Sequence, residues 1–238
     1  MIPVVILAGG LGTRISAISK TKPKSLIEVG GQPFMYWQLD YLRQNNITDI
    51  VLCLSKGADQ IIEFIEKDPF PEFKISISLD GDSLLGTGGC IKKALPLLPN
   101  DFFVMYGDSY LKSDLSKIQD TFQSSGKCGL MTVIKGSSSH EACNVKFEKG
   151  NILEYSKFST SPDLTYIDYG LSILKKQVFR TTEKVKSFDL SIIFSQLASE
   201  GNLVAYEEIS PYFEIGSPTG LDLFKDYLTG GNHGRRDI

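Results

Sequence analysis

The sequence predicts an α/β protein: a doubly wound, mostly parallel sheet with helices on both faces and a small antiparallel elaboration. Three observations carry this. Short apolar runs rich in β-branched residues, the pattern of strands covered on both faces, recur at residues 4–7, 49–54 and 102–106. Stretches with apolar residues at helical spacing alternate with them. The first strand also stops at a glycine loop, Gly9-Gly-Leu-Gly-Thr-Arg14, and a doubly wound sheet gathers its ligands at such strand ends.

In chain order, Val4, Val5, Ile6 and Leu7 form the first strand. Lys20-Thr-Lys-Pro-Lys24 and Gly30-Gly-Gln-Pro33 contain too many turn formers for a long helix and predict an ordered loop with one short extended piece. Pro33 suits a first helical position, and Phe34, Trp37, Leu39, Tyr41 and Leu42 give the spacing of a helix over 34–44. A second strand at 49–54, a helix at 58–66 and a third strand at 74–79 follow. Leu85-Gly-Thr-Gly-Gly89 is a second glycine loop opening onto a helix of about ten residues, stopped by Pro96 and Pro99. The fourth strand ends at Gly107-Asp108, and a helix at 115–123 leads to a fifth strand at 129–134. Strands at 144–148, 152–155 and 166–174 are joined by short turns and predict the antiparallel elaboration. A helix at 190–199, strands at 203–206 and 212–215 and a helix at 218–228 complete one domain over 1–229, with a glycine-rich, flexible tail at 230–238.

The 238 residues are enough for a sizeable core, and 42% hydrophobic against 22% charged is an ordinary globular balance. A net charge of −3 excludes the strong basic excess of a general nucleic-acid binder. No run approaches the roughly 20 apolar residues of a membrane span, and the N-terminus has no basic leader. Cys53, Cys90, Cys128 and Cys143 show neither zinc spacing nor a disulfide framework, so free thiols and a cytoplasmic location are expected.

The known glycine motifs fail. A dinucleotide fingerprint starting at Gly10 or at Gly86 meets Ile15 or Ile91 where glycine or alanine belongs, and Gly126-Lys127 is followed by cysteine, not Ser or Thr. His140 and His233 are the only histidines and neither has catalytic neighbours. What remains is phosphate chemistry. Glycines let backbone N–H groups approach an anion closely, and Arg14, Lys20, Lys22 and Lys24 form a basic segment at the end of the first strand. Asp108 at a strand end suits a hard cation such as Mg²⁺, and Glu214 supplies a second carboxylate from another strand end.

These motifs resemble those of sugar-phosphate nucleotidyltransferases. Leu7-Ala-Gly-Gly-Leu-Gly-Thr-Arg14 with Lys22-Pro-Lys24, then Leu85-Gly-Thr-Gly-Gly89, Gly107-Asp108 and Glu214-Ile-Gly-Ser-Pro218, follow the family's order over about residues 2–220. Leu-Gly-Thr-Gly-Gly and Pro33-Phe34 are most similar to bacterial heptose 1-phosphate guanylyltransferases. The resemblance implies a Rossmann-like sheet of the nucleotide-diphospho-sugar transferase type, cytoplasmic, acting on an NTP and a sugar 1-phosphate with Mg²⁺ for bacterial surface glycan synthesis. It implies that Leu7, Ala8, Gly9, Gly10, Gly12 and Thr13 hold the nucleotide, with Arg14 on its phosphates and Lys24 on the reacting ones. Gly86, Thr87 and Gly88 would border base and ribose, Gly88 allowing close approach. Asp108 would be catalytic and hold Mg²⁺ with Glu214. Glu154 and Lys157 would form a pair around the sugar phosphate, and Asn144, Asp168 and Gly170 would line the sugar pocket.

Relatives usually carry aspartate at position 214, proline at 28 and a proline after the arginine, and Asp82-Ser-Leu replaces the usual lead-in to the second glycine loop. Two other readings share the first loop: a cytidylyltransferase for a non-sugar phosphate and a non-catalytic sugar-nucleotide sensor. Tyr155, Phe158 and Tyr166 are read either as exposed aromatics of a homo-oligomer surface or as packing residues.

Overall fold

The computed structural model describes residues 1–10, 22–67, 69–81, 83–136, 143–159, 161–210 and 213–230. Leu11, Gly12, Thr13, Arg14 and Lys20, and the tail from 231 onward, lie outside these residues.

The elements are β1 (Val4–Leu7), β2 (Glu28–Val29), β3 (Gln32–Pro33), α1 (Phe34–Gln44), β4 (Asp49–Leu54), α2 (Ala58–Glu66), β5 (Lys74–Leu79), α3 (Gly86–Ala94), β6 (Asp101–Tyr106), β7 (Ser109–Tyr110), α4 (Leu115–Ser125), β8 (Gly129–Lys135), β9 (Val145–Glu148), β10 (Asn151–Tyr155), β11 (Tyr166–Lys175), α5 (Ser191–Ser199), β12 (Leu203–Glu208), β13 (Phe213–Glu214) and α6 (Pro218–Leu228). Local chemistry fixes several ends. Asp114 caps α4 by accepting from Ser116 N and Lys117 N, and Gly126, with φ +67°, ends it. Ser217 accepts from Gly220 N at the start of α6, where Pro218 takes the first position.

Nine strands form one sheet in the order β5-β4-β1-β6-β11-β8-β12-β10-β9. β5, β4, β1 and β6 run parallel, as do β8 and β12. β11 is antiparallel to both β6 and β8, so the antiparallel elaboration enters the middle of the sheet. β10 and β9 continue antiparallel beyond β12.

Alternation along β1 divides the core. Val4 and Ile6 face one layer with Met35 and Leu39 of α1, Ile61 of α2 and Ile118 and Phe122 of α4. Val5 and Leu7 face the other with Ile91 of α3 and Ile193, Phe194 and Leu197 of α5. Each such side chain, buried to 4% exposure or less apart from Leu7, contributes roughly 1.5–3 kcal/mol. A third cluster of Val29, Phe34, Phe213 and Phe224 ties the β2–β3 hairpin to α6.

This architecture brings distant strand ends together. Gly107 N donates to Leu7 O at 3.1 Å, joining the ends of β6 and β1. Ser55 Oγ, just past β4, donates to Gly9 O at 2.5 Å. The β11–β8 register shifts between Asp168 and Ser172, where Gly170 has φ +88°, and this bulge re-aims Asp168 and Tyr169.

Candidate active site

Two cavities open along the edge of the sheet where β1 and β6 end and the antiparallel β11 begins. The first, about 410 Å³, is bounded by Leu7, Ala8, Gly9 and Gly10 after β1, by Lys24 and Ser25, by Gly86 and Thr87 of α3, and by Tyr106 and Asp108 after β6. The second, about 230 Å³, is bounded by Asn144, Lys157, Asp168 and Gly170, with Tyr155, and again by Tyr106 and Asp108. The two cavities therefore meet at Asp108. Sequence reasoning placed most of these residues; Tyr106 and Ser25 it passed over, and Tyr155 it read only as a surface or packing aromatic, although Tyr106 directly precedes the strand-end Gly107-Asp108.

The junction is electrostatically organised. Lys24 Nζ lies 3.2 Å from Asp108 Oδ2, its side chain 19% exposed. Ile215 N donates to Asp108 O at 2.9 Å, and Glu214 pairs with Ser109 in the β13–β7 ladder. Glu214 thus stands beside Asp108, with Lys24 and both carboxylates grouped around Gly216. Glu214 Oε2 accepts from Gly216 N at 2.6 Å, and Oε1 accepts from Ser217 Oγ. Gln38 of α1, only 1% exposed, donates Nε2 to Tyr106 O and Ser109 O at 3.0 and 2.8 Å, clamping both sides of the Gly107-Asp108 turn.

These residues fit a hard divalent cation. The nearby donors are carboxylate oxygens. Among the described residues no group of three or more His, Cys, Asp or Glu is gathered as for an all-protein cage. Mg²⁺ is characteristically held by one or two carboxylates, with substrate phosphates and water completing its shell.

In the second cavity, Asp168 is half-buried as a residue but its carboxyl is enclosed, and burial pushes it up to about 6 against the opposing pull of Gly170 N–H, Lys157 and the Tyr155 hydroxyl. Asn144 Oδ1 accepts from Asp168 N at 2.9 Å, and Asp168 Oδ1 from Gly170 N at 2.9 Å. Lys157 Nζ donates to both carboxylate oxygens of Asp189, at 2.9 Å each. Burial alone would raise the Asp189 carboxyl, but Lys157 and the Ser191 N–H outweigh it and hold it below the usual range.

Three readings of the sequence are refined. Glu154 does not join Lys157: it is exposed on β10 opposite Lys146 and does not border the second cavity, because a register shift between Ile152 and Glu154 breaks the strand alternation and turns Tyr155, not Glu154, to the side of Ile152. Tyr155 is accordingly only 3% exposed, whereas Phe158 is 90% exposed. The third concerns Gly88. The space in front of its Cα is filled by the ring of Phe188, and its N–H donates to Phe188 O at 2.9 Å. The close approach that this glycine permits is to an aromatic side chain of its own chain.

The sheet thus presents a glycine-bordered cavity, a Lys–carboxylate junction and a second polar cavity along one edge. The chain matches the nucleotidyl transferase family over residues 3–206 and belongs to it. It is 37% identical over 115 residues to D-glycero-alpha-D-manno-heptose 1-phosphate guanylyltransferase of Campylobacter jejuni, covering 48% of this chain and 51% of that one. It is 25% identical over 230 residues to a putative mannose-1-phosphate guanyltransferase of Sulfolobus acidocaldarius, covering 96% and 62%. The matches thus span about half to three-fifths of these relatives' lengths. Among solved structures it is similar to HddC from Yersinia pseudotuberculosis, with a TM-score of 0.82 at 26% identity over 96% of this chain and 100% of that one. HddC complexed with GMP-PN gives 0.78.

Proposed function

We propose that this protein transfers a nucleotidyl group from an NTP to a sugar 1-phosphate, giving an NDP-sugar and pyrophosphate. The observation that carries the reading is the meeting of the two cavities at Asp108, beside Lys24. The glycine-bordered cavity takes the NTP, and the cavity around Asn144, Lys157, Asp168 and Gly170 takes the sugar phosphate. A phosphate oxygen of the acceptor attacks the α-phosphorus in line; the bond to the pyrophosphate oxygen breaks, and pyrophosphate leaves.

The acceptor oxygen is already ionised at neutral pH, so no general base is required, in accord with a site assembled from lysines, carboxylates and tyrosines. The difficulty is to bring two polyanions together. Lys24 supplies fixed positive charge at the junction, and Lys157 supplies it on the acceptor side. Asp108 and Glu214 would hold Mg²⁺, which when bound supplies charge on the transferring and leaving phosphate oxygens. Gln38 fixes the Asp108 turn.

GTP is the favoured donor and heptose 1-phosphate the favoured acceptor, because the Campylobacter relative is named for that pair; the Sulfolobus relative makes mannose 1-phosphate the second candidate. A role in bacterial surface glycan synthesis in the cytoplasm belongs to the same reading. So does a single catalytic domain over 1–229. Pyrophosphate release with Mg²⁺, crossing the common NTPs with a panel of sugar 1-phosphates, tests it. Release confined to GTP with one sugar phosphate is expected; nucleotide binding without release for any pairing contradicts transfer and favours a sensor.

A further inference from the structure

The segment at residues 186–190 belongs to neither glycine loop, yet it touches both sides of the site. Its backbone is fastened to the first turn of α3. Phe188 N donates to Leu85 O at 3.0 Å, Gly88 N and Gly89 N donate to Phe188 O at 2.9 and 3.3 Å, and Leu190 N donates to Thr87 Oγ1 at 2.8 Å. Two of the N–H groups that a helix N-terminus leaves free are therefore occupied by the protein itself. Asp189 lies between these two anchored residues, and its carboxylate projects to Lys157, 2.9 Å from each oxygen. Thr87 borders the first cavity and Lys157 the second.

Stability does not account for this pair. Lys157 is 33% and Asp189 46% exposed at the side chain, and an ion pair that open to solvent adds little. A flexible lysine in water samples many rotamers; the bidentate carboxylate restricts it and leaves its third N–H for another acceptor. Lys157 also faces Asp168, the enclosed carboxyl of the same cavity.

We propose that Asp189 is a positioning residue, one that holds the Lys157 ammonium in the second cavity for the phosphate of the acceptor and references it to the nucleotide-side helix α3. The inference rests on the nucleotidyl-transfer reading for the identity of that acceptor. Its consequence is selective: losing the Asp189 charge weakens the acceptor and leaves the NTP alone.

The competing explanation is that Asp189 only caps α5, since its Oδ1 also accepts from Ser191 N at 2.8 Å. Asparagine caps a helix about as well as aspartate, so Asp189→Asn separates the two. The experiment is a cycle of Asp189→Asn, Lys157→Met and the double variant, with Asp189→Glu as the conservative control. It is read as KM and kcat for pyrophosphate release and as binding of heptose 1-phosphate by calorimetry.

We expect Asp189→Asn to raise the acceptor KM roughly ten-fold, with the NTP KM within two-fold and unchanged thermal stability. Asp189→Glu should recover most of the loss, and the double variant should be no worse than Lys157→Met. Wild-type-like kinetics in Asp189→Asn, a tighter acceptor (Asp189 then competing with the phosphate for the ammonium), or losses that add in the double variant each overturn the inference while turnover by the unmodified chain keeps the reaction. Failure of the unmodified chain to turn over any pairing overturns the reaction instead. The cycle is then read from heptose 1-phosphate binding: equal, non-additive weakening supports the inference, and unaltered or absent binding overturns it.

Discussion

Replacing Asp168 by asparagine changes the pH dependence of stability in a direction and over a window that the structure fixes. The enclosed carboxyl titrates at about 6 when folded, against 3.8 for its ordinary value. The folded chain thus binds this proton more tightly than the unfolded chain, and stability falls as pH rises between the two values. A difference of about 2 pH units, at about 1.4 kcal/mol each, amounts to on the order of 3 kcal/mol, fully present as a destabilisation above pH 6 and absent below about pH 4. Asparagine carries no such titration. Urea unfolding, followed by circular dichroism and by Trp37, the single tryptophan, whose Nε1 donates to Val29 O at 2.9 Å, measures it. The stability of Asp168→Asn relative to the unmodified chain should climb from pH 4 to pH 6 and level off above. Other carboxylates, such as Asp114, contribute to both chains and cancel. A relative stability that is flat with pH, or that climbs as pH falls, refutes the argument that burial governs this group.

Two further substitutions separate roles that look alike in sequence. Gly88→Ala places a methyl group in the Phe188 ring and should destabilise by about 1–3 kcal/mol in thermal or urea unfolding, although alanine at an open helical site would gain about 1 kcal/mol. Undiminished stability with a raised NTP KM would show instead that the glycine serves the nucleotide. Gln38→Leu strips the donors from Tyr106 O and Ser109 O; a loss of about 2–4 kcal/mol in urea unfolding, with lower kcat, is expected, and unchanged values for both would remove Gln38 from the support of Asp108.

The elements were legible where local chemistry decides them. The apolar runs at β1, β4 and β6, the helical spacing of α1 and the Ser217-Pro218 start of α6 each stand in the sequence within a residue or two of their place in the structure. The insertion of β11 between β6 and β8 was not, because its alternating pattern suits either an appended ribbon or a central strand, and only pairing over more than 30 residues selects one. The first cavity was legible from its glycines and Lys24, and Asp108 from its strand end. Glu154 was misplaced because a motif match counts positions but not the face to which a strand turns them. Asp189 left no local signal: it lies 32 residues from Lys157, and the fold alone makes them partners. Gly88 illustrates the same limit, since a glycine before a ligand and a glycine before a phenylalanine ring read identically.

The claim that transfer occurs where the two cavities meet is tested most directly by the turnover of Asp108→Ala. Pyrophosphate release should be measured with Mg²⁺, GTP and the sugar 1-phosphate that serves the unmodified chain best. A fall in kcat of roughly 10²–10³ or more, with both KM values within a few-fold, is the result predicted for a carboxylate acting at the reacting phosphates. Near-normal turnover without Asp108 would contradict it.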